Sequence, residues 1–194
     1  IRRSLVRAVP QDPMGALNPT MSIGAQLRES GLDPDEVLDW LSRTGLPDPS
    51  RIAGDLPHRL SGGQRQRVLI AMSMAVRPRV LIADEPTTAL DVTVQSQILA
   101  LLKDLAREHG TSILFITHDL AVAAELADRV LVLFGGRVAE IGRTRDVIAA
   151  PAHPYSAGLL SVRFDLQSDR SKQLVTLAAE RLLERGQLAR RQPQ

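Results

Sequence analysis

The chain has 194 residues, of which 44% are hydrophobic and 24% are charged, and its formal net charge is +2. This length and balance predict a globular protein with one sizeable core. Lys and Arg are scattered among nearly as many acidic residues, which excludes a basic stripe for nucleic acid. The lack of cysteine excludes a disulfide framework and a thiolate metal site. No apolar run reaches the roughly 18 residues of a membrane span, and no signal-peptide pattern occurs, so we expect a soluble, cytoplasmic protein.

The first third of the chain predicts a strand followed by a small helical unit. Residues 1–10 carry a short apolar stretch that suits a strand, and the Pro, Gly and Asn of "QDPMGALNP" indicate a loop after it. Asp33, Pro34 and Glu36 have the spacing of a cap, a first-turn proline and a capping-box acid. They therefore predict a helix start, and Gly45 is a suitable stop for that helix.

The middle of the chain alternates between helix and strand. We predict a helix over about 62–77, then a strand at 80–83 and another at 112–117, both continuous apolar runs that suit strands buried on both faces. Between these strands lies an amphipathic helix. In "RVLVLFGGRVAEIG" the Gly135-Gly136 pair predicts a two-residue hairpin turn. The whole pattern predicts an α/β sheet with an antiparallel pair at one side.

Titratable side chains follow the two apolar strands of this α/β pattern. Asp84 and Glu85 come directly after the first strand, and His118 comes after the second. Because ligands of open α/β sheets bind beyond the carboxyl ends of the strands, these side chains are candidates for one site. Asp84 could hold Mg²⁺, directly or through water, and Glu85 could orient and deprotonate an attacking water. The alternatives are a solvated loop or helix cap for the acids and a structural role for the histidine.

Four short motifs occur in a fixed order along the chain. They are "LSGGQ" (60–64), "VLIADEP" (80–86), "TALD" (88–91) and "ITHD" (116–119). Together they resemble the second half of an ABC-transporter ATPase, and "VPQDP" (9–13) resembles the Q-loop of that family. The resemblance extends from the first residue to about residue 162. It implies a P-loop NTPase-like parallel sheet with helices and a small helical subdomain, binding ATP and Mg²⁺.

The resemblance also implies roles for individual residues. Glu85 would be the general base, and His118 would sense the γ-phosphate and hold the attacking water. Asp84 would bind Mg²⁺. Gln11, between the catalytic core and the helical subdomain, would contact Mg²⁺ or the attacking water.

The segment from Ser61 to Gln64 reads as a capped helix start that could hold an anion. Ser61 is the cap, and Gly62 and Gly63 allow close approach to the first N–H groups of the helix. The resemblance implies that this site grips the γ-phosphate of an ATP bound mainly to a second ATPase subunit. It also implies that Asp91 lies at the same interface between subunits. The alternative is an ordinary capped helix without a ligand.

The family pattern divides the chain into four regions. Residues 1–12 would be the end of a core strand and the Q-loop, and 13–60 the helical subdomain. Residues 61–150 would be the catalytic core, and 151–194 an extension and tail. The phosphate-binding loop G-x-x-x-x-G-K-[ST], which should precede the Q-loop, is absent. We expect that an N-terminal part is missing and that this chain alone hydrolyses ATP poorly.

The segment "PAHPYSAGLLSV" (151–162) bears on the transported substrate. It resembles a C-terminal motif of oligopeptide, dipeptide and nickel importers, and "VPQDPMGALNP" resembles the extended Q-loop of the same group. The local alternative is that His153-Pro154 is a turn and Tyr155 an anchor for the next helix. Such an importer subunit would lie peripherally on the cytoplasmic face of the membrane. Its partners would be transmembrane permease subunits, a second ATPase subunit that is identical or different, and, indirectly, a substrate-binding protein.

Two other functions remain open. A soluble ABC ATPase of translation or DNA repair would share the four motifs, but it should show a long inserted arm or zinc cysteines. A non-catalytic ABC scaffold is favoured by the missing phosphate loop and opposed by the presence of Glu85 and His118. The tail beyond Val162 indicates no function.

Overall fold

The computed structural model describes residues 5–88 and 90–160. These residues fall into two compact units, one within residues 1–118 and the other within residues 119–194. Across the described ranges, no helix combines the length and the apolar character that crossing a membrane requires.

A parallel sheet forms the centre of the first unit. Strand β2 (Val80–Asp84) pairs with β1 (Val6–Val9) on one side and with β3 (Ser112–Ile116) on the other. Because all three strands run in the same direction, their carboxyl ends meet at one edge of the sheet. The predicted α/β class is confirmed.

Helices surround this sheet. Those of the first unit are α1 (Pro13–Ala16), α2 (Ile23–Arg28), α3 (Pro34–Arg43), α4 (Pro49–Gly54), a 3₁₀ turn (Pro57–Arg59), α5 (Gly62–Met74) and α6 (Val92–His109). The predicted capping box of α3 is present, since Asp33 Oδ1 accepts a hydrogen bond from Glu36 N at 2.8 Å and Glu36 Oε2 accepts one from Asp33 N at 2.9 Å. Helix α3 ends just before Gly45, which has a φ of +70° that favours glycine.

One continuous apolar core joins the small helices to the sheet. Its members come from the strands and from α2 to α6, and the fully buried ones include Ile23, Leu41, Ile52, Ile70, Leu81, Ile98 and Leu102. The helices between β1 and α5 therefore bury part of their apolar surface in the same core as the strands.

Two predictions for the first unit are wrong. Helix α5 ends at Met74 rather than at residue 77, because Arg77 N bonds to Met74 O at 2.8 Å and Arg77 takes a φ of +47°, which turns the chain out of the helix. Strand β3 is not buried on both faces: Leu114 is 55% exposed and Ile116 is 44% exposed. Among the described residues β3 is an edge strand, paired on one side only.

The second unit contains a hairpin flanked by short helices. Its elements are α7 (Leu120–Leu126), β4 (Arg129–Phe134), β5 (Arg137–Arg143), α8 (Thr144–Ala149) and a helix over 154–160. The predicted hairpin is confirmed, with Gly135 and Gly136 both at positive φ in its turn. The expectation that this pair extends the α/β sheet is wrong, because within the described residues β4 and β5 pair only with each other.

The His-Pro-Tyr step is held against this hairpin. The two carboxylate oxygens of Glu140 accept the backbone N–H groups of Ala152 at 2.9 Å and His153 at 3.2 Å. The ring of Tyr155 packs on Phe134 with centroids 4.5 Å apart. The prediction that Tyr155 anchors the following helix is therefore confirmed.

Candidate functional site

The loops after β1, β2 and β3 bring three predicted site residues together on one carboxylate. Gln11 Nε2 donates to Glu85 Oε2 at 3.1 Å, and His118 Nδ1 lies 3.2 Å from Glu85 Oε1. An ionised carboxylate only accepts hydrogen bonds, so the imidazole N–H is the donor in the second contact. Both oxygens of Glu85 are thus engaged by side chains from neighbouring strand ends.

Glu85 sits in a backbone conformation that is unfavourable for its residue type. Its φ is +43°, in the left-handed region, where a side chain other than glycine costs about 1 kcal/mol or more. The turn is held by a hydrogen bond from Glu85 N to Ile116 O at 3.0 Å. This sharp turn directs the side chain towards the loops that follow β1 and β3.

Thr88 is a fourth member of the cluster, which we did not identify from the sequence. Its hydroxyl donates to Glu85 Oε2 at 2.9 Å and also lies 3.3 Å from the carbonyl oxygen of Glu85. No separate sequence signal points to this contact, because it depends on the left-handed backbone conformation of Glu85. In the sequence Thr88 is distinguished only as the first residue of the "TALD" motif.

Hydrogen bonding governs the charge of Glu85. The hydroxyl of Thr88 and then the imidazole of His118 lower the pKa of Glu85, outweighing the partial desolvation that raises it. Glu85 is therefore ionised at neutral pH. Its side chain is 25% exposed and that of His118 is 71% exposed, so water reaches both groups.

Asp84 lies next to this cluster in the chain and differs from it in its contacts. Its carboxylate is exposed at the end of β2 and makes no hydrogen bond or ion pair with the residues that the structure describes. Nor do those residues include a group of three or more His, Cys, Asp or Glu side chains able to hold a metal ion. A lone free carboxylate fits Mg²⁺, which is usually bound through one or two carboxylates together with waters and substrate phosphates.

The other predicted site residues gather at the N-termini of α5 and α6. Ser61 Oγ accepts from Gln64 N at 3.3 Å while Gln64 Oε1 accepts from Ser61 N at 2.9 Å, which completes a capping box. Asp91 caps α6 in a similar way, accepting from Val94 N at 2.9 Å. In the described part of the chain, no hydrogen bond or ion pair joins these side chains to Glu85.

The two helix starts pack closely against each other. A Cβ atom added to Gly63 would lie 2.9 Å from Val94 Cγ1, and one added to Gly62 would lie 3.8 Å from Leu90 Cδ2. A side chain at residue 63 would therefore push α5 away from α6. The glycine pair keeps two positively polarised helix ends side by side, with Ser61 and Gly62 exposed.

Comparison with known proteins agrees with this architecture. The family model described as "ABC transporter" matches residues 1–88. A curated relative, the dipeptide transport ATP-binding protein DppD of Bacillus subtilis, is 49% identical over 169 residues, which is 82% of this chain and 50% of the relative. The chain thus spans about half the length of that relative.

Solved structures give the same result. CbiO1 of Clostridium perfringens, part of the ABC transporter complex CbiONQ, matches with a TM-score of 0.68 and 31% identity, over 86% of this chain and 68% of that protein. The dimeric ATP-binding cassette MJ0796 in a post-hydrolysis state with ADP and Pi matches with a TM-score of 0.64 and 31% identity, over 74% of this chain and 65% of that one. The chain belongs to the ABC transporter family.

Proposed function

We propose that this chain carries the signature motif, which is the segment "LSGGQ" (60–64), and the hydrolytic residues of an ATP-hydrolysing ABC subunit. The observation that supports it most is the convergence of Gln11, His118 and Thr88 on the Glu85 carboxylate, at the carboxyl edge of a parallel sheet. A charged, hydrogen-bonded and water-accessible carboxylate at this edge is suited to orient water against a phosphoryl group.

In this proposal each side chain of the site has a different role in hydrolysis. Glu85 orients the attacking water and accepts its proton, and the imidazole of His118 donates a hydrogen bond to the γ-phosphate and helps to hold the water. Asp84 and Gln11 would hold Mg²⁺, which neutralises charge on the transferred phosphoryl group when bound. Gln11 and His118 each occupy one acceptor position of the Glu85 carboxylate and would leave it when they turn to the nucleotide, which frees these positions for the attacking water.

The helix starts at Ser61 and Asp91 serve a second ATPase subunit in this proposal. The free N–H groups at the start of α5 would bind the γ-phosphate of an ATP held mainly by the partner, which is an identical or a different chain. The exposure of Ser61 and Gly62 and their lack of contact with Glu85 support a role towards another subunit. The similar protein MJ0796, which is dimeric with ADP and Pi, supports the same arrangement.

We further propose that the complete protein powers peptide import from the cytoplasmic face of the membrane. The Bacillus subtilis relative is named for dipeptide transport. The His-Pro-Tyr step that resembles an importer motif is ordered by Glu140 and Tyr155. Oligopeptides and nickel are the other substrates that this motif suggests. A substrate-binding protein would deliver the cargo to the permease.

A groove on the small helices is the proposed contact for a permease loop. Residues Ala25, Arg28, Val37, Leu38 and Ala53 are among those that line it. Most of its lining is apolar and Arg28 adds a positive charge, which suits an amphipathic helix. Between residues 13 and 45 the sequence also offers Met14, Leu17 and Met21 as adaptable apolar contacts for such a helix, with packing of the loop as the alternative. Of these, Leu17 is buried in the core, whereas Met14 is exposed.

The first test is Glu85→Gln in the full-length protein. We expect ATP binding to persist while steady-state hydrolysis falls by about 100-fold or more, because the variant cannot accept the proton of the attacking water. Glu125→Gln, an exposed change on α7, is the matched control and should leave turnover unchanged. Turnover of Glu85→Gln within a few fold of the parent would remove Glu85 from this role.

The same preparation separates a transporter from a soluble ABC ATPase. A transporter subunit should co-purify with membrane-embedded permease chains, and its ATPase rate should rise when a peptide-loaded binding protein is added to the reconstituted complex. A full-length protein that hydrolyses ATP at its maximal rate without any membrane partner would favour the soluble class.

A further inference from the structure

Thr88 stands out among the neighbours of Glu85 because it belongs to the same turn. Its hydroxyl donates to Glu85 Oε2 at 2.9 Å, and its backbone N donates to the carbonyl oxygen of Glu85 at 3.3 Å. Gln11 and His118 reach the carboxylate from other loops. Among these three donors, Thr88 alone is close to Glu85 in the chain, at a separation of three residues.

We propose that Thr88 is a positioning residue that fixes the orientation of the Glu85 carboxylate throughout the hydrolytic cycle. The inference rests on the proposed function and deepens it. Thr88 touches neither ATP nor the attacking water in this proposal. It acts on the reaction through Glu85.

The turn around Glu85 is rigid enough for this role. Pro86 and Thr87 are both buried, and Pro86 has a fixed φ, so the segment between the carboxylate and the Thr88 hydroxyl has little freedom. Leu90 N donates to Thr87 O at 3.1 Å, which continues the turned conformation towards α6. The hydroxyl can leave Glu85 only through a change of the χ1 rotamer of Thr88, which is restricted because threonine is β-branched, or through a change of the turn itself.

Gln11 and His118 are poorly suited to hold the carboxylate during the reaction. In the proposed function both must turn to the γ-phosphate, Mg²⁺ or the attacking water, so they release Glu85 when nucleotide binds. The side chain would then rotate freely on a backbone that is already in the left-handed region, with φ of +43°. The Thr88 hydroxyl is the donor that can remain, and it leaves Glu85 Oε1 free for water.

Removing the hydroxyl should affect the chemical step rather than the binding of ATP. Once Gln11 and His118 have turned to the nucleotide, Glu85 Oε2 keeps only Thr88 as a donor among the side chains of the cluster. Without the Thr88 bond the carboxylate loses its orientation, so kcat should fall while KM for ATP stays nearly unchanged. A merely structural threonine would alter thermal stability or KM without this selective loss of kcat.

The experiment compares Thr88→Val, Thr88→Ser and the parent in the full-length protein. We expect Thr88→Val to lower kcat about tenfold, with KM for ATP nearly unchanged. Thr88→Ser keeps a hydroxyl and should restore the rate. Thr20→Val is the matched control, because Thr20 donates its hydroxyl to Asn18 at 2.8 Å in an exposed turn before α2.

The outcomes separate this proposal from the function on which it rests. If Glu85→Gln abolishes hydrolysis but Thr88→Val keeps the parental kcat, Thr88 is not a positioning residue and the proposed function stands. A shift in thermal stability or KM alone would overturn the proposal in the same way. If Glu85→Gln still hydrolyses ATP at the parental rate, the proposed function itself fails and the proposal fails with it.

Discussion

Glu85 combines a strained backbone with a side chain whose two carboxylate oxygens both accept hydrogen bonds. A glycine would adopt its φ of +43° at no cost, but a glycine carries no carboxylate. The surrounding structure holds the strained residue through the backbone bond to Ile116 and the side-chain bonds from Gln11, Thr88 and His118. Such strain is concentrated at functional positions in proteins, where a particular direction of the side chain matters more than local stability.

Removal of the His118 imidazole should raise the pKa of Glu85. The hydrogen bond from His118 favours the charged carboxylate, so His118→Ala is expected to move the Glu85 titration midpoint upwards, as measured by side-chain carbon NMR on the full-length protein. Because folding lowers this pKa, Glu85 stabilises the folded state above its ordinary pKa, and this contribution is lost as the pH falls through the lowered folded value. His118→Ala should therefore make this pH-dependent contribution to the stability of the folded state smaller.

His58→Ala is the control for the titration, since His58 is exposed on the 3₁₀ turn. It should leave the Glu85 midpoint where it is in the parent. A midpoint that His118→Ala also leaves unchanged would mean that the imidazole does not act on the carboxylate in solution.

At the residue scale, proximity could be predicted from the sequence only where topology dictates it. Glu85 and His118 each follow a strand, and parallel strands place their carboxyl ends at one edge, so their encounter follows from the order of elements. The Thr88 bond depends instead on the left-handed turn at Glu85. Sequence patterns give no reason to expect positive φ at a glutamate, so this contact could not be found without coordinates.

Helix α5, which carries the signature motif at its start, is linked to α3 and α6 by Arg67. Arg67 Nη1 donates to Thr44 O at the end of α3 at 2.7 Å, and Arg67 Nη2 donates to Gln97 Oε1 on α6 at 2.8 Å. Gly45 leaves room for this guanidinium, because a Cβ there would lie 2.8 Å from Nη1. One planar side chain thus joins three helices.

A second arginine strengthens the same junction. Arg43, in the last turn of α3, bonds to Glu108 at the end of α6 and lies 3.4 Å from His109 Nε2. Its guanidinium also lies 4.7 Å from the centre of the Trp40 ring, which suits a cation–π contact. The end of α3 is therefore linked both to α5 and to α6, the helix that follows the turn at Glu85.

We predict that Arg67→Met destabilises the protein by about 1–3 kcal/mol, because it leaves the Thr44 carbonyl and the Gln97 amide oxygen without their donor. Burial also lowers the pKa of Arg67, because the charged guanidinium loses hydration in the folded state. This cost offsets part of the free energy that its hydrogen bonds contribute. Thermal unfolding of the full-length protein measures the change. Arg107→Met removes a 79% exposed arginine from a surface ion pair and should stay within about 0.5 kcal/mol of the parent. Equal losses in both variants would contradict a bridging role for Arg67.

At the element scale, the sequence predicts where helices are capped and where they end, but it does not predict which strands pair. The caps at Asp33 and Ser61 and the glycine stop after α6 follow from backbone groups that must be satisfied within a few residues. The isolation of the β4–β5 pair and the exposure of Leu114 depend on which strands lie beside them. An apolar run of five residues does not reveal whether one or both of its edges are paired.

At the scale of the whole molecule, the chemistry and the importer-like motif belong to different compact units. The unit within residues 1–118 carries Glu85 and the signature segment, and the unit within 119–194 carries the His-Pro-Tyr step. Within the first unit, the Glu85 cluster and the Ser61 helix start are two separate groups without a shared hydrogen bond. The proposed ATP site shared between two chains would take one of these groups from each chain, and their separation agrees with that proposal.

The last prediction follows from this division. In a full-length Glu85→Gln background, which should trap the ATP-bound dimer, Ser61→Arg is expected to abolish ATP-dependent dimerisation while each monomer still binds nucleotide. The added guanidinium would occupy the exposed helix start, and loss of the Gln64 capping bond costs about 1 kcal/mol, too little to unfold the subunit. Ser50→Arg, at an exposed position in the first turn of α4, controls for added charge at a helix start. Sedimentation velocity with and without ATP measures the dimer, and an unchanged ATP-dependent dimer in Ser61→Arg would show that this surface does not meet the partner's nucleotide.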